Sequence, residues 1–160
     1  MVWVSIVLMG MSISLRLKRR RDFLDETVLF LSSVALEIEF INLPVFDILE
    51  KISLSSNCKT LDFIPQCVSS FREGEDFSVA WSKAVAASCL PLKKDEREKL
   101  ESLGQFIGTS DAQGQKSILS LYKDTFSVYG KKAAEAYDRY ARMCVTVSCI
   151  IGMGIFILIV

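Results

Sequence analysis

The last residues of the chain, Met143 to Val160, include no charged side chain. As an α-helix this run reaches about 27 Å, close to the thickness of a bilayer's hydrocarbon core. What precedes it is also helical in pattern. Ser110-Asp111-Ala112-Gln113 reads as a capping box, with Ser110 as N-cap and Gln113 reaching back. Beyond it, Ile118, Leu119, Tyr122, Phe126, Tyr129, Ala133, Tyr137, Tyr140 and Ala141 recur at the spacing of one buried stripe. No proline interrupts residues 110–160. The pattern predicts one long helix, or two joined near Gly130, that starts as a packing element and ends in lipid. The rest of the chain must then be a domain that packs on its first half.

The N-terminus repeats the arrangement in reverse. Met1 to Leu15 is apolar, and Arg16, Lys18, Arg19, Arg20 and Arg21 follow it. A secretory signal would place the positive charge before the apolar run. By the positive-inside rule the basic cluster stays in the cytoplasm. Fifteen residues reach only about 22 Å, which snorkelling of Arg16 and Lys18 can extend. A peripheral amphipathic anchor is the alternative. Lys131, Lys132, Arg139 and Arg142 precede the C-terminal run in the same sense. The expected organisation is a membrane segment with its basic flank over 1–21, a cytoplasmic helical bundle over 22–142 and a transmembrane helix over 143–160. Both termini would lie outside.

The middle of the chain reads as all-α, an antiparallel bundle of about six helices. Asp22 to Asn42 carries Phe23, Val28, Leu31, Ala35, Ile38 and Ile41 at helical spacing, and Leu43-Pro44 ends it. A second helix follows Pro44, with Val45, Ile48, Leu49 and Ile52 inward. A third is expected from about Thr60 to Arg72, with Pro65 either an irregularity or the mark of the true start, and Gly74 the stop. A fourth over 76–88 stacks Phe77, Trp81 and Val85 one turn apart, closed by Leu90-Pro91. The fifth, from about Lys93 to Ile107, turns Leu100, Leu103, Phe106 and Ile107 inward. Its run Lys94-Asp95-Glu96-Arg97-Glu98-Lys99 reads as a solvated face.

Composition excludes several kinds of chemistry. The chain has no histidine, so Ser-His and Cys-His mechanisms are absent. No glycine-rich phosphate loop occurs, so no cofactor is implied. Five cysteines, irregularly spaced and without Cys-x-x-Cys, read as reduced and buried thiols, with no metal set. A formal net charge of +0 offers no nucleic-acid footprint. Glu37 and Glu39 point to different faces of one helix, and Asp22 with Asp25 and Glu26 lies beside the basic cluster. A carboxylate enzyme is therefore a minor alternative. So is a pore-lining subunit, because neither apolar end carries an ionisable residue.

The informative cluster is Leu103 to Gln115. Gly104 and Gly108 stand one turn apart and would let a neighbouring helix approach closely. Ser110 and Asp111 cap the long helix, and Gln115 follows on the same face. The cluster reads first as a corner. As a functional alternative, Ser110, Asp111 and Gln115, together with Lys94, Glu96 and Arg97 on the fifth helix, are candidate contacts for a protein partner.

Leu-Gly-x-x-Ile-Gly-x-Ser-Asp-x-x-x-Gln, here Leu103 to Gln115, resembles the signature of the stage III sporulation protein AB family. Glu37-Ile38-Glu39-Phe40 before Leu43-Pro44, and Gly74 before Ala80-Trp81, resemble further elements of that family, and the match spans nearly the whole chain. Leu43 and Lys93 depart from it, standing where capping residues are usual. The family is similar to the cytoplasmic helical domains of type II secretion platform proteins. The resemblance implies a scaffold in the channel complex between mother cell and forespore, in the mother-cell membrane around the forespore. Its implied partners are a secretion-type ATPase and other channel subunits. The sequence leaves homo-oligomerisation open.

Overall fold

The computed structural model describes residues 2–41, 45–54, 60–107 and 112–159, with side chains over 12–39, 46–53, 60–107, 114–144 and at 147. Those residues form six helices: α1 (Val2–Ile41), α2 (Val45–Leu54), α3 (Phe63–Arg72), α4 (Phe77–Ala87), α5 (Lys94–Ile107) and α6 (Ala112–Ile159). Among the described residues there is no strand. The all-α expectation of about six helices holds. The long C-terminal helix is one element that passes through Gly130 unbroken. Pro44, Gly108, Ser110 and Asp111 lie outside the described residues.

Each helix packs on the next, and α6 returns along α1. Four contacts fix the direction of that return. Lys116 pairs with Glu39 at 2.6 Å. Gly130 faces Asp25 and Leu24. The Arg21 guanidinium lies 5.2 Å from the centre of the Tyr137 ring. Leu17 shares a groove with Tyr140 and Met143. Residue numbers fall on α1 as they rise on α6, so the pair is antiparallel. Both apolar ends therefore belong to the same end of the pair.

Local rules account for the helix ends. Asp76 caps α4, its Oδ1 accepting from the Ser78 N–H at 2.9 Å. Gly74, at φ 94°, takes the left-handed turn after α3, where a side chain would strain the backbone. The third helix starts at Phe63, three residues later than Thr60. Pro65 thus falls in its first turn, where a missing N–H removes no intrahelical bond.

The core gathers Phe23, Leu24 and Leu31 of α1, Ile48 and Leu49 of α2, Phe63, Ile64 and Val68 of α3, Trp81 and Val85 of α4, Leu100 and Leu103 of α5, and Leu119 and Phe126 of α6. Burying side chains of this size contributes about 1.5–3 kcal/mol each. Trp81 is the centre of it. Its ring meets Phe63 edge-on at 5.1 Å, and its Nε1–H donates to the Leu100 carbonyl at 2.8 Å. The tryptophan fits because Gly104 has no side chain: a Cβ there would come within 2.3 Å of its ring. The close approach expected at Gly104 is thus between α4 and α5.

Two sequence expectations for α5 are corrected. Phe106 remains 45% exposed, because it lies at the rim against Tyr122. Glu96, read as part of a solvated face, is 1% exposed. Lys94, Asp95, Glu98 and Lys99 of the charge run do face water, but the start of α5 tucks the Glu96 side chain beneath α1.

Candidate functional site

Among the described residues, the side chains at the start of α5 form the most elaborated polar cluster. Glu96 is the third residue of α5. Its Oε2 accepts the Lys93 backbone N–H at 2.9 Å, the carboxylate half of a capping box whose other half a lysine cannot supply. The same carboxylate receives Arg20 of α1, Nη2 to Oε1 at 2.5 Å and Nε to Oε2 at 3.1 Å. Arg20 keeps 13% of its side chain exposed and Glu96 keeps 1%. One carboxylate thus closes a helix start and ties it to the stalk helix α1. A two-pronged guanidinium–carboxylate contact fixes orientation as well as distance.

Arg97 serves the preceding helix. Its Nη2 donates to the Ser88 carbonyl at 2.9 Å and its Nη1 lies 3.4 Å from the Ala86 carbonyl, at the C-terminal end of α4. Lys94 is different: it is exposed, with only Glu98 at 3.9 Å beside it. Gln115 donates from Nε2 to the Ile107 carbonyl at 2.7 Å, so it satisfies the end of α5 from the first turn of α6. That bond makes the corner reading concrete for Gln115.

The proposed docking residues do not form one patch. Lys94, Glu96 and Arg97 stand at the start of α5, and Gln115 meets its last residue, about 20 Å away along the helix. Glu96 is unavailable to a partner because it is buried and paired. Arg97 is half-buried and engaged.

The basic flank also divides. Arg16, Lys18 and Arg19 are exposed. Arg20 is spent on Glu96. Arg21 pairs with Asp22 at 3.0 Å and lies over Tyr137. Two of the five charges read as a membrane flank are therefore structural, because a helix lying against α5 and α6 must turn part of its circumference inward. Just beyond the flank, Ile13 and Leu15 of α1 and Met143 and Val147 of α6 are exposed at the same end of the pair. Among the described residues, no helix is long and apolar enough to cross a membrane. Most side chains of the two expected spans, 1–15 and 143–160, lie outside the described residues.

Among the described residues, carboxylates do not converge. Glu37 pairs with Lys51 of α2, and Glu39 with Lys116 of α6, on different faces as their spacing requires. Among the described residues no three potential metal ligands come together. Burial pushes the Cys67 thiol up to about 12 and keeps it inert, while Cys89 is exposed. One concavity, about 440 Å³, is an open groove bordered by Arg19, Asp22, Asp62, Gln66 and Cys89.

Sequence reasoning missed the Arg20–Glu96 link. A glutamate three residues after the start of a helix was its visible signal. It also missed the exposed apolar residues Leu29 and Leu36 of α1 and Leu121 and Val128 of α6, which interrupt otherwise polar faces at intervals of seven.

Fold and site together define a class: a helical bundle carried on a two-helix antiparallel stalk, in which the described polar clusters join helix to helix. A family model described as stage III sporulation protein AB matches residues 1–160, and the chain belongs to that family of sporulation proteins. A solved structure of stage III sporulation protein AB (SpoIIIAB) is 21% identical and superposes with a TM-score of 0.60. It covers 75% of this chain and 97% of its own, so it supports the fold. No curated protein matches the sequence.

Proposed function

We propose that this chain is a membrane-anchored platform subunit of the channel complex between mother cell and forespore, and that it holds a secretion-type ATPase at the membrane. One observation carries the anchoring. The exposed apolar residues Ile13, Leu15, Met143 and Val147 share one end of the stalk, next to the exposed basic residues Arg16, Lys18, Arg19, Arg139 and Arg142. Apolar side chains facing outward beyond a collar of lysine and arginine suit a stalk that enters lipid from the cytoplasmic side. The bundle then hangs in the cytoplasm of the mother cell, with both termini outside.

The scaffold role follows from what the polar side chains do. Arg20, Glu96, Arg97 and Gln115 fix helix to helix, which makes the bundle a rigid body on its stalk. Family membership supplies the sporulation setting. The ATPase partner rests on the likeness to secretion platforms, and Lys94 remains an exposed candidate contact.

Two measurements test the reading. Single cysteines are introduced at Ser70 in the bundle and at either terminus, with Cys58, Cys89, Cys144 and Cys149 replaced by Ser, and the protein is expressed in vegetative cells, where a membrane-impermeant maleimide reaches the outer face of its membrane. The termini should label and Ser70→Cys should not; labelling of the bundle from outside sinks the topology. Full-length tagged protein, solubilised from sporulating cells, should bring down the ATPase. Its absence under conditions that retain other channel subunits removes the docking role.

A further inference from the structure

The stalk carries two apolar stripes that no other described residue covers. Leu29 and Leu36 stand seven residues apart on α1, 67% and 54% exposed; Leu121 and Val128 stand seven apart on α6, 65% and 49% exposed. Seven residues is two helical turns, so each pair shares a face. The stripes open to different sides. Leu29 lines a groove of about 420 Å³ with Asp25, Val28, Ser127, Gly130 and Lys131. Leu121 lines another, with Phe106, Ile118 and Thr125.

The stripes match in height. The antiparallel register set by Glu39–Lys116, Asp25–Gly130 and Leu17–Tyr140 puts Leu36 level with Leu121 and Leu29 level with Val128, to within two residues, about 3 Å. Asp25 is level with Lys131 and Lys132. All three are exposed, and none has an ion pair among the described residues. The match is lost nearer the membrane, where Lys18 comes level with Arg139.

We infer that the α1 stripe of one copy is the seat for the α6 stripe of a second copy standing beside it in the same membrane. This rests on the anchoring reading above, because a shared membrane holds both stalks at one height and makes the level residues meet. Leu36 then packs on the second copy's Leu121, Leu29 on its Val128, and Asp25 faces its Lys132; Lys131 stays in the groove beside Asp25 of its own chain. The alternative, a two-fold contact of like stripes, sets Asp124 against Asp124 and Lys132 against Lys132, which disfavours it. A contact between two different patches repeats around the membrane normal and closes into a ring where the rotation permits. Eleven residues of contact extend about 17 Å. Such an interface belongs to the small and weak class, and confinement to a membrane supplies the effective concentration it needs.

Oxidative cross-linking in native membranes tests this. Two differently tagged full-length copies are co-expressed with Cys58, Cys89, Cys144 and Cys149 replaced by Ser, Cys67 being buried. A Leu29→Cys copy should bridge to a Val128→Cys copy, and Leu36→Cys to Leu121→Cys, about tenfold above the like-with-like pairs. Asp25→Lys should reduce bridging about fivefold, and Lys132→Asp on the other copy should restore it. Dominant like-with-like bridging, or no bridging by folded protein that sediments with membranes, overturns the contact and leaves the anchoring intact. Protein that does not sediment with membranes overturns the anchoring, and the contact with it.

Discussion

Arg20 and Glu96, 76 residues apart in sequence, meet through two hydrogen bonds at the point where α5 begins beneath α1. The carboxylate is buried and also accepts the Lys93 N–H, so three donors converge on one acid. Breaking a buried pair from one side leaves an uncompensated charge, which costs about 3–5 kcal/mol. Glu96→Ala and Arg20→Ala should each approach that loss in urea unfolding of the full-length protein in mild detergent. The double variant should lose less than the sum. Additive losses would show that the two side chains stabilise the protein independently.

Gly104→Ala should be among the most damaging single-atom-scale changes in the bundle. The new Cβ meets the Trp81 ring at 2.3 Å, and the ring cannot retreat without giving up its bond to the Leu100 carbonyl. Overpacking of this kind costs about 1–3 kcal/mol. In a Trp3→Phe background, the emission of Trp81 should shift to the red as its site opens. An unchanged spectrum and midpoint would mean that the helices part without cost.

Lys94 and Arg97 separate the two readings of the charged face of α5. Lys94→Glu should change stability by no more than about 0.5 kcal/mol, since the side chain is exposed beside a single distant partner. Arg97→Ala uncaps the end of α4 and should cost about 1 kcal/mol. Equal effects of the two substitutions on thermal unfolding would contradict this division.

Cys67 should react with iodoacetamide far more slowly than Cys89 in the native protein at pH 8. Burial holds the Cys67 thiol near 12 against an ordinary value of 9.0. The folded state therefore keeps a proton that the unfolded state releases, so this thiol's contribution to stability is complete below pH 9 and declines as pH rises from 9 toward 12. A Cys67→Ala variant should show a shallower fall of unfolding midpoint over that range. Identical slopes would place the alkaline sensitivity elsewhere.

The helical plan was legible because periodicity and helix signals coincide. Phe77, Trp81 and Val85, one turn apart, line one face of α4, and Asp76 and Gly74 mark its boundaries with their own chemistry. Gly104 announced a close approach before its neighbour was known. What the sequence concealed was the partnership of charges. Arg20 sits in a basic cluster and Glu96 in an alternating run, and both contexts argue for solvent. Only tertiary packing, which lays α5 under α1, distinguishes these two from Arg19 and Glu98. The exposed leucines were equally hidden, because a helix packed on one side offers no sequence mark for apolar residues on its other side.

The continuity of α6 has a mechanical consequence. Forty-eight residues without a break make a rod of about 72 Å. A tilt of about 10° around the point where Gly130 meets Asp25 would sweep the far tip, about 44 Å away, sideways by about 8 Å. The protein thus has the geometry of a lever, with its fulcrum where Gly130 meets Asp25. Small displacements at the corner emerge magnified at the opposite end, and the Lys116–Glu39 pair ties the short arm to α1.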